Sequence, residues 1–253
     1  MRAPTWSRPV TGELLGSALL VAVMFGSGAV RVQLGAATMA GALLGSTALG
    51  LGYGLVVWSF GGLSGAQTSP LITLIASVLG GQPWRDAGAR MLAQLCGAGA
   101  MTVVAAQVAP LWASGDAVVA GAGGLAESVA SFGFVLVALG VALRRDITVP
   151  LALGAFGTAS FWMTGHATAG NPLLVLSVYV VRGEREAGGL LTALGGAVLG
   201  AVLAVAVARF LFPRAREAAS RLEDCCDIAL DVRGRVVSCE PRPDGRLPDG
   251  CCA

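Results

Sequence analysis

Apolar residues run along this chain in long blocks with few charges between them. Six blocks, at about 11–30, 35–60, 88–109, 117–143, 148–164 and 187–212, come close to the roughly 20 residues that cross a bilayer as one helix. Two shorter blocks, about 70–80 and 171–181, each follow a small polar residue and a proline, Ser69-Pro70 and Asn171-Pro172. They are too short to cross, but long enough to enter halfway and return. The pattern predicts an all-α membrane bundle of six spans with two re-entrant half-helices.

Composition agrees with that picture. Of 253 residues, 55% are hydrophobic and 13% charged, too apolar for an ordinary soluble domain of this length. The 37 glycines suit helices that pack closely through small residues. A net charge of +2 gives no sign of a nucleic-acid partner. The first apolar run continues past signal-peptide length and reads as a first span, not a cleaved leader.

Arginine placement orients the bundle. With the N-terminus in the cytoplasm, Arg2, Arg8, Arg85, Arg90, Arg144, Arg145, Arg214, Arg216 and Arg221 lie inside, and Arg31, Arg182 and Arg185 outside. Both termini are then expected in the cytoplasm, in a bacterial inner membrane. The chain divides into a short N-terminus (1–10), a channel-like body (11–212) and a tail (213–253). The body falls into halves at about 11–109 and 117–212. Each half opens with a span carrying a glutamate, Glu13 or Glu127, and ends its second span at a Pro motif. Three spans per half put the halves in opposite orientation, as an inverted repeat.

Backbone that leaves the helix at membrane depth is tolerated only where protein buries it or where it lines a wet cavity. Two such loops from opposite sides imply a polar path near the bilayer centre. Proline suits the first position of a helix, where its missing N–H costs nothing. Ser69 and Asn171, just before, are both favoured N-cap types. Each motif therefore reads as loop, cap, proline, half-helix, with the two positive helix ends facing mid-membrane.

Several stretches together resemble the major intrinsic protein family, the aquaporins and glycerol facilitators. Residues 64–73, SGAQTSPLIT, are similar to that family's SGAHxNPAVT. Gly12-Glu13-Leu14-Leu15-Gly16-Ser17 resembles its AExxGT, and Ala93-Gln94-Leu95 with Gly97 its AQxxGA. Glu127 matches the acidic residue of its fourth span. The resemblance covers about residues 10–212. It implies an aquaporin-like fold, a homotetramer with one pore per subunit, and passive passage of small uncharged solutes.

The departures change the expected pore. The first family motif, Asn-Pro-Ala, is Ser69-Pro70-Leu71 here, and the second is Asn171-Pro172-Leu173. The family's filter arginine, two residues after the second proline, is Leu174. By motif offset the other filter positions fall at Leu49, Ala159 and Thr168. Such a filter is more apolar than a water channel's and lacks the fixed charge that repels cations.

For Asn171 a side-chain donor to a passing solute stands against a plain helix cap, and Ser69 carries the same two readings. Glu13 and Glu127 are carboxylates at membrane depth, costly unless paired. They read either as a proton relay or as acceptors for the backbone of the re-entrant loops, the role the resemblance implies. Gln94 joins that support or packs between helices. His166, the only histidine, is either a pH-sensitive group near a mouth or an ordinary loop residue.

The tail carries Cys225, Cys226, Cys239, Cys251 and Cys252 among seven arginines and eight acidic residues. Thiols clustered in a reducing compartment point to a soft metal or metalloid such as trivalent arsenic. The spacing fits no zinc signature, and unpaired thiols on a flexible tail are the alternative. No catalytic constellation and no cofactor motif is present. The function expected is a passive channel for water, glycerol-like polyols or neutral metalloid hydroxides. The alternatives are an arsenite resistance channel with a thiol-binding tail, a non-conducting scaffold, or an ion-coupled transporter on an inverted repeat.

Overall fold

A computed structural model describes residues 7–108, 123–142, 147–165, 167–183 and 187–212, with the backbone of 229–230 and 236–237. The body is helical: α1 (Ser7–Gln33), α2 (Met39–Ser64), α3 (Pro70–Val78), α4 (Trp84–Val108), α5 (Gly124–Val141), α6 (Thr148–Thr164), α7 (Pro172–Arg182) and α8 (Ala187–Leu211). Within the tail, β1 (Ala229–Leu230) and β2 (Val236–Val237) pair antiparallel.

Helix boundaries follow local chemistry. The Thr38 hydroxyl accepts the Gly41 N–H at 3.0 Å and starts α2. Gly65 and Gly165 end α2 and α6 in the left-handed conformation, at φ 77° and 74°. A residue without a Cβ takes that conformation at least cost. The short helices α3 and α7 both start on a proline and stand as half-helices between full spans.

Five helices (α1, α2, α4, α5 and α8) are long and apolar enough to cross a membrane. The sixth, α6, has 17 residues, a rise of roughly 25 Å at ~1.5 Å per residue. The sequence blocks match these helices to within a few residues, except that residue 109 of the third block and residues 117–122 and 143 of the fourth lie outside the described structure.

Burial runs opposite to that of a soluble protein. Leu51, Leu55, Leu92, Val103, Leu125 and Phe210 face outward and are exposed. Glu13, Gln94, Glu127 and Asn171 are wholly buried. Apolar residues outside and polar groups inside are what a hydrocarbon solvent selects. In the core Phe134 of α5 lies edge-on to Tyr53 of α2, with ring centroids 5.5 Å apart, and is tilted against Phe156 of α6 at 6.0 Å.

The packing repeats between halves. α1 packs on α4 as α5 packs on α8, and α2 meets α6 across the middle. Small residues set these distances. A Cβ at Gly97 of α4 would overlap the Leu14 carbonyl of α1, and one at Gly200 of α8 would overlap the Ser128 carbonyl of α5. At the central crossing, Gly50 of α2 fits against Gly154 and Thr158 of α6.

Candidate functional site: two re-entrant loops

The first loop leaves α2 at Gly65 and reaches α3 at Ser69. Two of its non-glycine residues, Ala66 and Thr68, have positive φ, 44° and 42°. For a β-branched residue such as Thr68 this is strained backbone, worth about 1–3 kcal/mol. Glu13 of α1 holds it. Its Oε1 accepts the Gln67 N–H at 2.9 Å, and its Oε2 accepts the Thr68 N–H at 2.8 Å and Gln94 Nε2 of α4 at 2.7 Å. Gln94 Nε2 also donates to Thr73 Oγ1 of α3 at 2.9 Å, and Thr73 Oγ1 donates to Gln67 Oε1 at 2.8 Å. Gln67 Nε2 donates to Gln82 Oε1 at 3.2 Å, and Gln82 Nε2 donates to the Thr73 carbonyl at 2.9 Å. Buried Arg90 donates to the Ser64 carbonyl at 2.6 Å, at the negative end of α2.

The second loop runs from Gly165 to Asn171. Ala169 and Gly170 have positive φ, 50° and 71°. Any Cβ at Gly170 would overlap backbone atoms of Ala130 and Ser131 in α5. Thr168 Oγ1 donates to Glu127 Oε1 at 2.5 Å. Glu127 Oε2 is buried with no partner among the described residues.

The loops meet through Asn171. Its Oδ1 accepts the Leu173 N–H at 3.1 Å and caps α7, while its Nδ2 donates to the Thr68 carbonyl of the first loop at 2.9 Å. One carboxamide thus starts a half-helix and ties the two halves together, with its second Nδ2 hydrogen still available. Ser69 differs. It takes the extended cap conformation, but its hydroxyl makes no cap bond and Oγ is buried without a partner among the described residues. The expectation of a serine side-chain cap is corrected on that point. A hydroxyl is one bond shorter than a carboxamide, and it makes no contact of the kind Asn171 makes.

No protein-family profile matches the chain. It is similar to the aquaglyceroporin AqpS of Rhizobium meliloti, 33% identical over 217 residues covering 83% of this chain and 92% of that protein. It is also similar to the glycerol uptake facilitator protein of Bacillus subtilis, 30% identical over 110 residues, 42% of this chain and 39% of the relative. Its fold matches the crystal structure of the aquaglyceroporin from Plasmodium falciparum, with a TM-score of 0.63 at 18% identity over 83% of this chain and 98% of the other. The chain belongs to the major intrinsic protein family. It is a multi-pass membrane protein and a passive channel for small solutes, not an enzyme.

Within that family frame, the positions taken from motif offsets fall in different places. Leu49 of α2 is fully buried and lines a small cavity of about 10 Å³, enough for about one water molecule. The cavity sits where α1 and α6 end. Thr168 is committed to Glu127, and Leu174 is fully buried in the core. Leu71 and Leu173 are buried core residues as well, with Pro70 and Pro172 half-buried beside them. Ala159 is on the exposed face of α6 and does not line the cavity, whereas Phe161 does. The offset counted back from Asn171 lands two residues before Phe161, a little over half a helical turn away and on the opposite side of α6.

Among the cavity residues that the motif count did not reach, Arg31 and Phe161 carry the chemistry. The Arg31 guanidinium lies 5.1 Å from the centroid of the Phe161 ring, and its Nε donates to the Ala36 carbonyl at 3.1 Å. Phe161 in turn packs edge-on against Trp162, with centroids 5.9 Å apart. An arginine at the end of an apolar span is the sequence signal that could have pointed here.

His166 and the tail thiols Cys225, Cys226, Cys239, Cys251 and Cys252 lie outside the described residues. Among the described residues, no three His, Cys, Asp or Glu side chains come together as a metal site.

Proposed function

We propose that this channel conducts small uncharged polyol-like solutes of the glycerol class, with neutral metalloid hydroxides as secondary cargo. The observation carrying this reading is the Asn171 bridge to the Thr68 carbonyl, which joins two proline-started half-helices from opposite halves of the chain. Loop backbone brought to that depth supplies carbonyls and N–H groups to a solute that has left water. With Leu71, Leu173 and Leu174 in place of smaller or charged groups, the surroundings of the two motifs are apolar, which favours solutes with an apolar side over water itself. Glu13, Gln94 and Glu127 act as loop supports, not as proton carriers. N-in, C-in topology and a homotetramer complete the proposal, on arginine placement and family resemblance.

Proteoliposome permeability tests it. Stopped-flow light scattering should show glycerol entering at least tenfold faster than into empty vesicles, with a smaller gain for water. Glycerol, urea and arsenous acid all entering at the empty-vesicle rate would sink the channel and leave a membrane scaffold.

A further inference from the structure

We propose that Arg31 is the specificity-determining charge of this channel, rejecting cations at the mouth formed by the ends of α1 and α6. The inference rests on the channel reading but names a residue outside the re-entrant loops.

Several independent features place a cation there. Arg31 is half-buried and lines the same small cavity as Leu49, Phe161 and Ala167. Ala167 belongs to the loop that leads to Asn171. The guanidinium is fixed on two sides, by the Phe161 ring at 5.1 Å and by the Ala36 carbonyl at 3.1 Å. Gly45 of α2 makes room for it, since a Cβ there would come within 3.0 Å of the Arg31 Cβ. No carboxylate among the described residues lines the cavity, so the charge is not neutralised locally. A guanidinium over a ring keeps its full charge and most of its N–H groups. Of its five N–H bonds one is spent on the Ala36 carbonyl, which holds the group in place. The first turn of α7 after Pro172, by contrast, carries Leu174 and no charge. In a low-dielectric mouth one uncompensated positive charge raises the barrier for a cation far more than for a neutral solute.

A purely structural role would also place an arginine here, at the negative end of α1 and across the α1–α2 turn. The experiment therefore compares two fluxes through one protein. Wild type, Arg31→Gln and Arg31→Lys are reconstituted as monodisperse protein, and glycerol and methylammonium entry are measured in each. Arg31→Gln should keep glycerol entry within about twofold and raise methylammonium entry about tenfold or more, while Arg31→Lys should exclude the cation as wild type does. Arg31→Gln with normal glycerol entry and wild-type cation exclusion overturns the Arg31 proposal alone. Wild type that passes no glycerol overturns the channel reading, and this proposal with it. Should Arg31→Gln assemble poorly, Arg31→Lys still decides. Loss of cation exclusion in a lysine variant with normal glycerol entry would mean that charge is not what excludes the cation.

Discussion

The two re-entrant loops share a shape but not a means of support. Glu13 accepts three donors, two from loop backbone and one from Gln94. Glu127 accepts one hydroxyl, from Thr168, and its second oxygen has no described partner. The packing identifies the missing donor. Gly97 and Gly200 sit against the carbonyls of Leu14 and Ser128, each the residue after its half's glutamate. Three residues before those glycines stand Gln94 in α4 and Ala197 in α8. The amide that completes the first carboxylate therefore has an alanine as its counterpart. Each loop has a positive-φ alanine, Ala66 or Ala169, and the two loops differ at the last position before the cap. Just before the cap, the strongly held loop keeps Thr68 at φ 42°, while the weakly held loop has Gly170 at φ 71°, where glycine bears no such cost. A polar network holds one turn in place, and the absence of a Cβ makes the other possible.

The hardest break of this comparison is to exchange the two residues. Gly170→Thr puts a branched side chain into backbone atoms of α5, with no flexible group to move aside. It should abolish recovery of monodisperse protein from detergent. Thr68→Gly removes strain from a loop still held by Glu13, and should give protein at yields near wild type. Size-exclusion profiles of both variants decide it. Equal yields would mean that the loops tolerate the same residues and that the asymmetry has no energetic content.

Next in size is the pair of glutamates. Glu13→Gln puts an amide where Oε1 and Oε2 both face donors, so at least one N–H or amide group loses its acceptor inside the membrane. Hydrogen bonds to a charged acceptor contribute about 1.5–3 kcal/mol each, and a loss of about 3 kcal/mol is expected. Glu127→Gln can keep its Oε1 contact to Thr168 and place the amide at the unpartnered side, for a change below about 1 kcal/mol. Thermal unfolding in detergent should show a large drop for the first and little for the second. A similar drop in both would indicate that Glu127 is held by more than Thr168.

Much of this architecture is visible in the chain itself. Six apolar blocks, two prolines after small polar residues and two glutamates at matching places specify the bundle, because membrane insertion reads length and polarity directly. Which residues face the mouth was far less accessible. A motif offset gives a position along a helix but not the face that turns inward, and Ala159 lies on the exposed face of α6. Arg31 entered the sequence argument only as one positive charge outside the membrane, and its ring partner Phe161 lies 130 residues further on. No local pattern links them; the α1–α2–α6 packing does.

The finest contrast is between the caps, Asn171 and Ser69. Replacing Asn171 with Ala removes the acceptor for the Leu173 N–H and the donor to the Thr68 carbonyl. A lost side-chain cap costs about 1 kcal/mol, and a second buried bond about as much again, for roughly 2 kcal/mol together. Ser69→Ala removes a buried hydroxyl that has no described partner and caps nothing. A buried polar group without a partner is a burden, so its loss should be neutral or slightly stabilising, within about 0.5 kcal/mol. The double variant then tests whether the caps are coupled through the bridge at Thr68, which precedes Ser69 in the chain. The Ser69 hydroxyl takes no part in that bond, so the two effects should add to within about 0.5 kcal/mol. Unfolding temperatures of the two single variants and the double variant supply the cycle. A stability loss in Ser69→Ala comparable to that in Asn171→Ala would show that the serine hydroxyl has a partner in the working protein, and the two halves would then be more alike at their caps than at their glutamates.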